Sequence, residues 1–402
     1  MTADITTGTQ VRLQPLTYVD DGEDVLIGRP DTGSYGVFPP EGADLLRSLE
    51  SGAVLEAAVR RWQDQTGETL DVADFLATLT ELGFVVGENE VRVERTQVRW
   101  QRLGVVLFSP VAFAVYAAVV AGGLAAMFLD PSLRPSYRNI FFTSYLSFIP
   151  VVLALTQFPL VLVHEGFHAL AARRLNLPST LGIGRRFYYL VAETRLDSLY
   201  SVPTAQRYLP FFAGALVDAV GVGAFTLLSA ATRHWGAPPW VSGLLLALAL
   251  GGVLRLLWEC LFYLETDFYF VINTASGCTD LHGAAKSRVR GWFRALLRRP
   301  PEPATDEWSD RDLRAARWYA PLMVAGYGLS LATLALVAVP TTVRFWTTVF
   351  HRFDGSHPLS PVLVVDSVFF VLLTLAELGL LAYVTIRDLR GRRARQNGRN
   401  PS

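Results

Sequence analysis

The sequence predicts an α-helical polytopic membrane protein with about six transmembrane helices, joined to an N-terminal α+β domain of winged-helix type. Three observations predict it. Hydrophobic residues make up 51% of the 402 and charged residues only 18%, too apolar for a soluble protein of this length. Beyond residue 100 the apolar residues gather into long runs, each close to the roughly 20 residues that a bilayer-spanning helix needs. The net charge of zero hides a split. Residues 1–90 hold 17 acidic against 5 basic side chains, and the remainder holds 31 basic against 19 acidic, so net −12 faces net +12. The predicted units are an acidic domain over 1–95, a membrane domain over 100–390 and a basic tail over 391–402.

In the first unit, Val25-Leu26-Ile27-Gly28-Arg29 and Ser34-Tyr35-Gly36-Val37-Phe38 read as strands around the turn signature Pro30-Asp31-Thr32-Gly33. Helices are expected over Glu41–Leu49, Val54–Thr66 and Val72–Leu82, the last stopped by Gly83. Strands with three helices suggest a winged helix-turn-helix, and such a fold invites a nucleic-acid reading. The net charge of −12 argues against it, because phosphate binding depends on Lys and Arg.

Six spans are expected: Leu103–Leu129, Phe141–Ala172, Leu209–Ala231, Val241 to about Ile272, Ala316–Val339 and Pro361–Ile386. Basic residues cluster on one side of that topology. Arg92, Arg95, Arg99 and Arg102 precede the first span; Arg173, Arg174, Arg185 and Arg186 follow the second. Lys286, Arg288, Arg290, Arg294, Arg298 and Arg299 follow the fourth, and Arg387, Arg390, Arg392, Arg393 and Arg395 follow the last. The intervening loops carry fewer, so both termini are expected at the cytoplasmic face of the cell membrane. MTADITTGTQ lacks the basic start and apolar core of a secretory signal, and Pro300–Asp312 reads as a polar linker. Cys260 and Cys278 give neither a disulfide framework nor a CxxC metal pair.

The sharpest motif is His164-Glu165-Gly166-Phe167-His168 in the second span. Residues four apart share a helix face, so His164 and His168 can hold one zinc ion, with Glu165 one step round as a general base. With 6 His and 16 Glu in the chain, roughly 0.004 such motifs are expected by chance, so coincidence explains it poorly. His164 lies nine residues before Arg173, about 14 Å of helix from the cytoplasmic boundary. Ionisable groups at that depth cost about 2.5 to 3.5 kcal/mol each on insertion scales and are functional by default. Two histidines are only two ligands. The acidic residues at suitable depth are Asp218 in the third span, and Glu265 and Asp267 near the end of the fourth; zinc accepts any of them. Asp218 has an alternative role as a buried partner of Arg255, which can also pair with Glu259 four residues on. Asp366 and Glu377 in the last span have no motif context and read as packing or lumen-facing residues.

The stretch His164-Glu165-Gly166-Phe167-His168-Ala169-Leu170-Ala171-Ala172-Arg173 resembles the zinc helix of the site-2 proteases, polytopic intramembrane metalloproteases. That resemblance implies zinc as cofactor, peptide-bond hydrolysis, Glu165 as the catalytic base and an aspartate third ligand two spans later. Asp267, in Phe262-Tyr263-Leu264-Glu265-Thr266-Asp267-Phe268, fills that place, although Phe268 stands where the family usually has glycine. The N-terminal pattern is similar to PqqD-like peptide-recognition domains, which implies capture of a leader peptide by strand addition at a sheet edge; a regulatory or assembly domain without a peptide ligand is the alternative. The substrate is then a peptide or a membrane protein in the lipid bilayer, and maturation or export of a ribosomally made, modified peptide is one such task. The rival reading is a non-catalytic membrane protein, an export or immunity component with a structural zinc site. An intact Glu165 favours catalysis, since a structural site needs no base. Arg185–Leu196, aromatic and β-branched beside Gly182 and Gly184, is either a hairpin beside the active site or a loop with an interfacial aromatic belt. Asn273 either donates to the oxyanion or plays an ordinary polar role at a helix end.

Overall fold

The computed structural model describes residues 11–21, 24–29, 31–87, 98–186, 189–196, 199, 201–278, 280–300, 308–354 and 360–397. Arg92 and Arg95, Pro30 of the turn, Phe187 and Tyr188, and most of the linker lie outside them. Two compact units are present. One comprises residues 1–108, 168–181 and 194–210, the other 109–167, 182–193 and 211–402, and the division passes through continuous helices.

The N-terminal part begins with three antiparallel strands in the order β1 (Thr17–Asp21), β2 (Asp24–Arg29) and β3 (Ser34–Phe38), with Tyr18 opposite Ile27 and Ile27 opposite Gly36. The expected strands are β2 and β3; β1 is additional, and its sequence TYVDD hides it by carrying two acids. At the turn, Gly33 takes a φ of +70° and its N–H donates to Arg29 O. Three helices follow: α1 (Pro40–Glu50), with Pro40 at its first position, α2 (Leu55–Thr66), and α3 (Val72–Glu81), whose N-terminus is capped by the Asp71 carboxylate. Ile27, Leu46, Leu79 and Phe84 close one core between sheet and helices. Arg29 is buried at 5% exposure, donating to Gly83 O at the end of α3 and to both Asp31 oxygens. Those hydrogen bonds hold the Asp31 carboxyl below its ordinary value of 3.8.

Next come α4 (Gln101–Leu107), α5 (Pro110–Leu129), α6 (Phe148–Arg174), the two-stranded sheet of β4 (Thr180–Arg186) and β5 (Tyr189–Arg195), α7 (Thr204–His234) and α8 (Pro239–Glu259). After them come α9 (Asp267–Ser276), α10 (Leu281–Leu296), α11 (Asp310–Thr333), α12 (Val339–Phe353) and α13 (Pro361–Asn397). Six helical stretches among the described residues are long and apolar enough to cross a membrane, compatible with a multi-pass membrane protein: α5, α6, α7, α8, the α11–α12 run and α13. Their outward faces are apolar, as at Leu155 and Phe128, which suits lipid as the surrounding solvent. Where α5 crosses α7, a Cβ on Gly123 would sit 2.5 Å from Gly223 Cα, so paired glycines allow backbone contact of the kind that holds helices together in lipid.

Five spans differ from their expected limits, the third by extending to Thr204 and His234. The first starts at Pro110, because the Ser109 side chain caps a new helix there and α4 is separate. The second starts at Phe148 and runs unbroken through Pro159. The fourth stops at Glu259, as described below. The fifth runs on to Phe353 through a π-helical turn, Leu334–Ala338. Pro340 explains that turn: with no N–H to give Leu336 O, it forces the preceding turn to widen. Asp366 proves to be structural. Its carboxylate accepts from Leu146 N and Ser147 N just before α6 and from Arg352, joining α13 and α12 to the helix that carries His164 and His168.

Two outcomes follow. Asp366→Ala strands Arg352 and two backbone donors and should cost about 3 kcal/mol or more, read as a lower unfolding temperature in detergent, with metal binding intact once folded. For the N-terminal part, a carboxyl lowered on folding contributes stability above its ordinary pKa of 3.8 and loses it as pH falls through the lower, folded value. Hydrogen exchange over residues 24–38 should therefore quicken on acidification below that point, and Asp31→Asn should blunt this dependence.

Candidate metal centre

Helix α6 carries His164 and His168 one turn apart, with 7% and 4% exposure. Each ring is already committed through one nitrogen. His164 Nδ1 lies 2.8 Å from Asp218 Oδ2 on α7, and His168 Nδ1 lies 2.7 Å from Pro210 O on the same helix. A carboxylate and a carbonyl only accept, so both Nδ1 atoms are donors, and it is in the neutral ring that Nε2 offers a lone pair to a metal. Such an outer partner sets the tautomer and orientation of a ligating histidine.

The third member comes from a break in the fourth apolar run. Helix α8 ends at Glu259, a 3-10 turn spans Phe262–Leu264, and Glu265 takes a left-handed φ of +52° before α9 opens at Asp267. Glu259 controls the restart. Its backbone carbonyl accepts from Thr266 Oγ1 at 2.7 Å, and its carboxylate accepts from Asp267 N at 2.9 Å. Phe268 packs on Phe212 with ring centroids 5.6 Å apart, and Phe270 stacks on Phe211 at 5.7 Å, fixing α9 against α7.

Ligand atoms of His164, His168 and Asp267 all lie within 4.8 Å of one another, and His164 Nε2 is 3.6 Å from Asp267 Oδ2. Tetrahedral zinc with bonds of 2.0–2.1 Å keeps its donors about 3.4 Å apart, so the donor set fits a metal ion with small side-chain adjustments. Two imidazoles and one carboxylate are also a donor set that divalent transition metals accept.

Asp218, the rival ligand, is occupied elsewhere. Oδ2 accepts from His164, while Oδ1 accepts from Arg255 Nε and Nη2, each at 2.8 Å. Arg255 continues to Gln157 Oε1 on α6 at 2.6 Å. Gly251 makes room for that amide: a Cβ there would fall 2.1 Å from Gln157 Nε2. Arg255 thus pairs with Asp218 rather than with Glu259. Glu265 lies beside His282, Oε1 to Nε2 3.6 Å, outside the metal-ligand group. Glu165 is half-buried on α6 next to His164. Asn273 is six residues beyond Asp267, about 240° round α9, so the helix does not turn it toward the same side. Its Oδ1 is buried without a hydrogen-bond partner among the described residues. Three contributors had no signal in the motif itself: the Pro210 carbonyl, Gln157 and Glu259. Gln157 and Glu259 are polar residues inside apolar runs, a signal that was present; the carbonyl leaves none.

Removing the orienting carboxylate should weaken metal binding without abolishing it. Asp218→Ala is expected to lower affinity 10–100-fold, measured by competition with a metal-binding dye, whereas Asp267→Ala removes a ligand and should lower it further. Equal affinity in Asp218→Ala and the parent would overturn the orienting role. In comparisons with family models, characterised proteins and solved structures, nothing matches this chain.

Proposed function

We propose that this protein is a zinc-dependent membrane peptidase, a zinc metalloendopeptidase of site-2 protease type. The observation that carries the reading is the His164, His168 and Asp267 cluster, with both histidines held through Nδ1 and a carboxylate, Glu165, next to His164 on the same helix. Bound zinc acidifies a coordinated water and polarises a carbonyl. His164, His168 and Asp267 would hold it. Glu165 accepts a proton from the water that adds to the substrate carbonyl; as the C–N bond breaks, Glu165 returns the proton to the departing amine. Asp218 and the Pro210 carbonyl keep both imidazoles in one tautomer throughout, which favours a site that repeats the cycle.

The substrate is a peptide or a membrane protein, with maturation or export of a ribosomally made, modified peptide as the task that best suits a soluble recognition domain. In this reading residues 11–87 form a PqqD-like winged-helix domain that captures a leader peptide along its sheet, and the β4–β5 hairpin offers an edge to the extended substrate. The basic loops support a reading in which both termini are cytoplasmic and the protein lies in the cell membrane.

The test uses purified full-length protein and Glu165→Gln. Zinc near one per chain in both, with cleavage of a candidate precursor peptide falling at least 100-fold in the variant, supports a peptidase. Undiminished cleavage in Glu165→Gln removes the general base, and a parent protein that takes up no zinc removes the mechanism altogether.

A further inference from the structure

Helices α9 and α11 line a groove of about 570 Å³ that the metal chemistry does not use. Its walls are Val271, Ile272, Ala275 and Ser276 from α9 and Arg311, Arg314, Ala315 and Trp318 from α11. The floor is therefore aliphatic and the rim cationic. Arg311 and Arg314, one turn apart on α11, hydrogen-bond only backbone carbonyls, those of Gly277 and Asp310, and neither meets a carboxylate among the described residues. Trp318 is 48% exposed at the start of a stretch apolar enough to span a membrane, the position where tryptophan anchors a helix at the interface.

The neighbouring helix has the same character. α10 buries Leu281, Ala284, Ala285 and Val289 against α11 and presents Lys286, Arg288 and Arg290 outward. At its far end Trp292, Phe293 and Leu296 stand exposed, 77% in the case of Leu296, beside Arg298 and Arg299. Large exposed apolar side chains interleaved with cations make a poor surface for water. They make a good one for the boundary between acyl chains and anionic headgroups.

We propose that the α9–α11 groove binds an anionic phospholipid, with the acyl chain against Val271, Ile272, Ala275 and Trp318 and the headgroup phosphate between Arg311 and Arg314. Charge complementarity and the aliphatic floor together select this occupant. Guanidinium groups match phosphate oxygens in a planar fork, and a free inorganic anion would gain nothing from the apolar wall. The site lies on the helix whose first residue is Asp267, so the lipid steadies the element that presents the third metal ligand.

The experiment is native mass spectrometry of the full-length protein in neutral detergent, offered phosphatidylglycerol and phosphatidylcholine of identical acyl chains in equal amounts. The parent is expected to retain phosphatidylglycerol preferentially. Arg311→Gln with Arg314→Gln should cut that preference roughly 10- to 30-fold. A pair removing the same charge elsewhere, Arg60→Gln with Arg61→Gln, should leave it unchanged, and Ala275→Trp, which fills the groove and keeps every charge, should abolish it. Should the arginine pair fail to fold, Ala275→Trp decides alone. Equal retention of the two lipids by the parent overturns the proposal, as does an unaltered preference in Ala275→Trp. Displacement of the lipid by excess inorganic phosphate would reassign the groove to a simple anion site and also overturn it.

Discussion

The contact on which the membrane part depends is the one Asp218 makes in two directions. A carboxylate with 3% exposure on an apolar helix is costly unless paired, and here each oxygen has its own partner: Arg255 on Oδ1, His164 on Oδ2. The two partners do different work. Arg255 supplies the compensating charge and, through Gln157, ties α8 and α7 to α6. His164 supplies a donor and in return has its ring orientation decided, with Nε2 turned toward Asp267. Had Asp218 been the metal ligand instead, Arg255 would compete with the cation for the same oxygens and His164 would lose its orienting partner. Pairing and ligand geometry are thus satisfied by one arrangement, in which Asp218 supports the centre from outside and Asp267 faces it.

How much of this was legible in the sequence depends on whether the cause is local. The helix of His164 and His168 was, because a four-residue spacing inside an apolar run has one periodic reading. Five of the six spans were also legible in outline, their ends shifted by local chemistry such as the Ser109 cap and Pro340. The restart at Asp267 was not. Residues 241–272 are almost continuously apolar, and hydropathy registers composition without backbone direction. What stops α8 is a pair of hydrogen bonds from Thr266 and Asp267 back to Glu259, contacts that exist only once the chain has turned. Likewise β1 escapes any alternation rule, because Asp20 and Asp21 interrupt its pattern and it is the pairing with β2 that makes it a strand.

The charge split has a physical counterpart in how the two parts satisfy their ions. In the N-terminal part the buried cation, Arg29, lies on a strand and is neutralised by a partly exposed Asp31 two residues away, so the pair keeps contact with water and responds to acid. In the membrane helices the corresponding pairs join residues far apart in sequence, Asp218 with Arg255 and Asp366 with Arg352. Local pairs suffice where water can take over if they open. Long-range pairs inside an apolar bundle also specify which helices are neighbours, because a mismatched helix would leave an ion alone.

Helix α7 contributes no ligand, yet it touches the support of all three. Its Pro210 carbonyl holds His168, its Asp218 carboxylate holds His164, and its Phe211 and Phe212 rings pack on Phe270 and Phe268, the residues that flank the start of α9. The order of these contacts, 164 with 218 and 168 with 210, runs α6 and α7 antiparallel, and the aromatic pair then brings the Asp267 end of α9 to the same stretch. Phe268 ties the backbone after Asp267 to α7, so the third candidate ligand is positioned by ring packing together with the Glu259 carboxylate. A small rotation of α7 would disturb the partners of both histidines and the packing of α9 at once, so the geometry of the candidate centre depends on a helix that supplies none of its three ligand atoms.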